Sequence, residues 1–101
     1  MAEDGECTAI VAYEVMAEDV DKFLNAWRKA NDYLSGQDGF LSTALHRAAS
    51  AAPDFRFVNI AKWNSADAFR SATQGSGFRE AAGLLEAYPI HAAVYDVVDS
   101  S

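Results

Sequence analysis

An amide and an indole stand four residues apart in the run FRFVNIAKWNS, as Asn59 and Trp63. In a strand that spacing puts both side chains on one face, with Phe55 and Phe57 ahead of them on the same side. Asparagine is depleted in strands, and a buried amide without partners costs roughly 1–3 kcal/mol. Set among aromatics, it can donate a hydrogen bond to the anionic oxygen of a flat ligand while the indole stacks on the ring. A plainer reading is also open, in which Asn59 bonds a neighbouring loop or backbone group and Trp63 is core. His46 and His91 have the intrinsic basicity for proton transfer, although ordinary strand or surface roles are open for both. Two separated histidines with no acidic pair at ligand spacing predict no metal site. There is no Gly-rich phosphate loop, no nucleophile elbow and no redox cysteine pair.

The elements that must carry these residues follow from periodicity. CTAIVAYEV (Cys7 to Val15) reads as a first strand. Val20, Phe23, Leu24, Trp27, Ala30 and Leu34 recur at helical spacing, and Ser35-Gly36 offers a stop with Gly36 as a left-handed cap. Asp38 to Phe40 is a turn, and FLSTALHRA a second strand. SAAPDF connects it to the third strand, the run that holds Asn59. Asn64 or Ser65 can cap a helix over SADAFRSAT, Gln74 to Gly77 breaks it, and a further helix covers FREAAGLLEAY up to Pro89. IHAAVYDVV (Ile90 to Val98) is the last strand, followed by a fraying tail.

The order β-α-β-β-α-β is the α+β, ferredoxin-like pattern: a four-stranded antiparallel sheet with helices on one face. Strand three carries Phe55, Phe57 and Trp63 on one face and Val58 and Ile60 on the other. The last strand carries Val94 and Val98 on one face, Tyr95 and Val97 on the other. Two apolar faces imply a sheet covered on both sides, and the helices suffice for only one. The expectation is a homodimer joined through the other face.

The 101 residues fit one domain, 1–101, with an ordered core of about 7–98. Half of the residues are hydrophobic, and the net charge of −7 argues against nucleic acid and anionic membrane as partners. Cys7 is the only cysteine, so no internal disulfide forms and a reducing compartment fits. The acidic MAEDGE start lacks the features of a signal peptide, and no apolar run is long enough to span a membrane. These features predict a soluble, cytoplasmic protein.

FRFVNIAKWNSADAF, preceded by DGFLSTALHR and followed by FREAAGLL, resembles the antibiotic biosynthesis monooxygenase family. The resemblance runs from the first helix to the last strand. It implies a dimeric α+β barrel and a chemistry drawn from cofactor-free oxygenases of anthrone-like polyketides, quinol oxygenases and haem degraders. In the anthrone-oxidising branch, an asparagine and a tryptophan spaced like Asn59 and Trp63 line the pocket, and an arginine in an LREAL-like context contributes. FREAA places Arg79 there, as a fixed charge able to stabilise an anion. A solvated, ion-paired Arg79 on the side of Gly83 and Glu86 is the alternative. That branch has a tyrosine six residues after the tryptophan, where this chain has Phe69. Proton handling then falls to another group: Tyr13, Tyr88, His46 or His91. The haem-degrading branch needs an axial histidine at the position of Ala82, which disfavours that chemistry.

The resulting expectation is a cofactor-independent monooxygenase that oxidises a flat aromatic, polyketide-like or quinol substrate with molecular oxygen. Asn59, Trp63 and Arg79 would be its catalytic residues, with Phe55, Phe57, Phe69, Phe78, His46 and His91 about the substrate. The rival expectation is a non-catalytic, ligand-binding dimeric module of the same fold.

Overall fold

The computed structural model describes residues 6–51 and 53–100. The acidic start that argued against a signal peptide (1–5), Ala52 of the connector and the final Ser101 lie outside the described residues. The strands are β1 (Cys7–Tyr13), β2 (Phe40–Arg47), β3 (Phe57–Trp63) and β4 (Ile90–Tyr95). The helices are α1 (Val20–Leu34), α2 (Ala66–Thr73) and α3 (Ser76–Ala81), with 3₁₀ turns at Ala17–Asp19 and Gly83–Ala87. The strands form one sheet in the order β2-β3-β1-β4, and every neighbouring pair is antiparallel. This is the α+β, ferredoxin-like arrangement that the element order predicts. No described helix is long and apolar enough to cross a membrane.

Strand alternation divides the side chains cleanly. Cys7, Ala9 and Tyr13 of β1 and Phe57, Ala61 and Trp63 of β3 are buried beneath the helices. α1 answers them with Phe23, Ala26 and Ala30, one stripe of a 3.6-residue repeat. The opposite face holds Ile10, Ala12, Val58 and Ile60 on the central strands, with exposed Ala44, Ala93 and Tyr95 on the edge strands.

Several boundaries differ from the sequence reading. β3 starts at Phe57, so Phe55 lies outside the strand and is not held to its alternation. β4 stops at Tyr95, and Val97 and Val98 are exposed beyond it. Ser65, not Asn64, caps α2: its hydroxyl oxygen accepts from the Ala68 N–H at 3.0 Å. Among the described residues the left-handed glycine is Gly39 (φ 90°), not Gly36. A Cβ at Gly39 would stand 2.4 Å from the Cβ of Ala68 and 2.7 Å from the amide oxygen of Asn64. Conformation and close approach of the chain therefore both require glycine there.

Candidate functional site

The core is divided. One cluster is built on Phe23, which stacks on Phe57 at 4.8 Å and meets the edges of Tyr13 at 4.9 Å and Tyr88 at 5.4 Å. The other is built on Trp63, with Phe40 edge-on at 5.4 Å and Phe69 at 5.7 Å. Between them, at the β1–β4 end of the row Leu45–Asn59–Val11–Ala92, the sheet presents the short side chains of Val11 and Ala92, and the helical layer breaks from α3 into a 3₁₀ turn. A cavity of about 520 Å³ fills the gap, within the usual size range of small-molecule pockets. Its floor is Val11 and Tyr13 of β1 with Ile90 and Ala92 of β4. Its roof includes Phe69 and Thr73 of α2, Phe78 and Arg79 of α3, and Leu85, Glu86 and Tyr88 beyond.

Two charges enter this largely apolar space, Arg79 and Glu86. Helical spacing alone sets both on a solvent side, away from Phe78 and Leu85. The chain passes from α3 into the 3₁₀ turn Gly83–Ala87 between them, and the tighter winding brings all four around one cavity. Among the described residues no ion pair joins Arg79 to a carboxylate. Arg79 is exposed, as the solvated alternative has it, but the ion pairing of that alternative finds no carboxylate partner among the described residues.

Tyr13, one of the candidate proton handlers, also lines the cavity, and burial pushes its phenol up to about 12. The folded state keeps a proton that the unfolded chain gives up near pH 10. The stabilisation is complete below pH 10 and is lost as pH rises through about 12. Denaturant unfolding should show a loss of ~2–3 kcal/mol across that window, absent in Tyr13→Phe. An equal alkaline loss in both proteins would contradict the burial of the phenol.

Asn59 and Trp63 do share the helix-facing side of β3, but neither is among the cavity's lining residues. Asn59 lies in the cross-strand row Leu45–Asn59–Val11–Ala92, next to the cavity-floor residue Val11. Its half-buried amide oxygen accepts a 2.8 Å hydrogen bond from the Thr43 hydroxyl. The partner is thus a side chain rather than the loop or backbone group considered above. Among the described residues the amide nitrogen of Asn59 has no partner. Thr43→Val should cost about 0.5–1.5 kcal/mol in chemical denaturation and Thr43→Ser less, since serine keeps the hydroxyl. Equal effects of the two would remove the hydrogen bond as the cause.

Trp63 is 1% exposed, and Phe69 packs between its cluster and the cavity. Its indole Nε1 is buried without a hydrogen-bond partner among the described residues. An orphaned donor of this kind costs free energy, so Trp63 holds its place by packing alone.

The remaining candidates separate by face. Phe69 and Phe78 line the cavity. Phe57 is buried in the Phe23 cluster on the same side of the sheet. His46 pairs with Val58, Val58 with Ala12 and Ala12 with His91, which places both histidines on the opposite face. His91 Nε2 lies 3.0 Å from Glu14 Oε2, and the ring of Phe55 meets His91 at 4.9 Å. Phe55 therefore does not frame Asn59, and the histidines do not meet the cavity. No group of three metal-ligating side chains occurs among the described residues. Thr43 is absent from the sequence reading and Glu86 enters it only as a neighbour of Arg79 on a solvent side, because each acquires its place at the site through strand register or the helix-to-3₁₀ transition.

Fold and site together define an α+β domain with an apolar pocket between sheet and helices. Residues 7–84 match the model of the antibiotic biosynthesis monooxygenase family, and the chain belongs to that family. No curated protein matches it. Among solved structures, SnoaB of Streptomyces nogalater, a cofactor-independent oxygenase, is 26% identical with a TM-score of 0.83, covering 96% of this chain and 97% of its own. A protein of Shewanella loihica PV-4 assigned as a monooxygenase is 27% identical with a TM-score of 0.85, covering 98% and 100%. A dimeric protein of unknown function and ferredoxin-like fold from Bacteroides fragilis shares the fold at 12% identity and a TM-score of 0.73, covering 93% and 98%. Family membership and the likeness to the Streptomyces and Shewanella proteins support a monooxygenase-type function.

Proposed function

We propose that this protein is a cofactor-independent monooxygenase of a flat aromatic, polyketide-like or quinol substrate. The observation that carries the reading is the largely apolar cavity of about 520 Å³ with a guanidinium in its wall. Ground-state oxygen is a triplet and reacts slowly with closed-shell molecules. An electron-rich enolate or phenolate can reduce it directly. The protein's tasks are to bind the flat ring, stabilise its anion and exclude bulk water. Phe69 and Phe78 contact the ring and Arg79 holds the oxyanion, while Asn59, outside the lining but paired with the cavity-floor residue Val11, offers its amide N–H groups to a substrate oxygen at that edge. For an anthrone-like methylene the balance is R₂CH₂ + O₂ → R₂C=O + H₂O, with both reducing electron pairs drawn from the substrate carbon.

A binding module without turnover is favoured by one observation: neither Asn59 nor Trp63 lines the cavity. Oxygen uptake with an anthrone and a hydroquinone, in metal-free and flavin-free buffer, separates the two readings. Uptake above background is the expected result, and none across the panel would favour the module. The usual haem chemistry is tested by adding haemin, with no Soret shift expected, since Ala82 has no lone pair for iron.

The same proposal includes a homodimer joined through the outer sheet face of Ile10, Ala12, Val58 and Ile60. Light scattering should give twice the chain mass, and Ile60→Asp should halve it. A wild-type monomer at micromolar concentration would contradict the dimer.

A further inference from the structure

We propose that Glu86 is the proton acceptor of this cavity, a role that rests on the oxygenase reading above. Four of the lining residues can ionise in water: Tyr13, Arg79, Glu86 and Tyr88. These are also the titratable groups that face the cavity from β1, α3, the 3₁₀ turn and the segment ahead of β4. A guanidinium stays protonated, and a phenol is protonated at neutral pH. Burial pushes the Tyr13 phenol further from use as a base. His46 and His91, the usual proton-transfer side chains, are on the far side of the sheet. Of these four, Glu86 alone carries a carboxyl group, a side chain that serves as a general base.

Its position suits the step. Glu86 is exposed, so a proton taken from the substrate can pass on to water. Arg79, seven residues earlier, lines the same cavity with the opposite charge. In the step, an acidic C–H or O–H bond of the substrate breaks and its proton goes to the Glu86 carboxylate. The electron pair stays on the substrate, whose oxyanion faces Arg79. Oxygen then takes its electrons from that anion.

Proton abstraction can be read without oxygen. Under anaerobic conditions in D₂O, NMR follows exchange of the anthrone methylene hydrogens. The wild type should accelerate exchange over buffer, and Glu86→Gln should slow it about 100-fold or more, in keeping with the weight of a general base. Glu86→Asp should recover part of the rate, and circular dichroism checks that both variants are folded. Equal rates for wild type and Glu86→Gln, or no acceleration by the wild type, would overturn the role of Glu86. Exchange without oxygen uptake would leave Glu86 as the base and remove the oxygenase. Uptake with undiminished exchange in Glu86→Gln would do the reverse.

Discussion

Oxygen uptake by Asn59→Ala is expected to fall about 5- to 150-fold while the protein stays folded, the range set by losing one hydrogen bond of 1–3 kcal/mol to the reacting oxygen. The Thr43 hydroxyl engages the amide oxygen, so the amide nitrogen is what remains to offer a ligand. Neighbouring Val11 is floor of the cavity, one strand away. Stability should change little by comparison. Thr43 is itself half-buried, so its hydroxyl can turn to water and the net loss is about 0.5–1.5 kcal/mol. Urea midpoints and steady-state oxygen consumption on the same samples separate the effects. A variant that unfolds, yet turns over normally per folded molecule, would make the amide a structural group.

Trp63→Ala is expected to cost about 3–5 kcal/mol of stability, the usual range for truncating a large buried aromatic. The indole is among the largest fully buried side chains and holds Phe40 and Phe69 edge-on. Trp63→Phe should cost far less, because it keeps a ring there and removes an N–H that has no partner. Denaturant titration of the two variants measures both. If Trp63→Ala were nearly as stable as the wild type but inactive, the indole would be a ligand wall rather than core.

Local rules made most of the fold legible. A short, partly β-branched run located β1, alternation located β3, and the helical recurrence of Val20, Phe23, Leu24, Trp27, Ala30 and Leu34 located α1, since each pattern follows from one element's own geometry. The site was less legible because it depends on relations between elements. Phe55 keeps the parity of Phe57 in the sequence, but it lies outside β3, against His91 on the other face. His46 acquires its face only through pairing with Val58, and a register shift near Phe40 and Ser42 precedes that pair. Thr43 meets Asn59 diagonally across two strands. Arg79 and Glu86 enter the cavity with Phe78 because the helix gives way to a 3₁₀ turn after Ala82, which periodicity at 3.6 residues does not foresee.

Two aromatic clusters leave a largely apolar cavity on the helix side of the sheet, the space in which the proposed reaction must take place. The most direct test of that placement is an amide and side-chain NMR titration with a hydroxyanthraquinone, a stable stand-in for an oxidised product. Saturable shifts are expected at Val11, Phe69, Phe78, Arg79 and Tyr88 and at the Asn59 side-chain NH₂, with His46 and Phe55 silent. Shifts confined to the outer sheet face, or none at all, would contradict it.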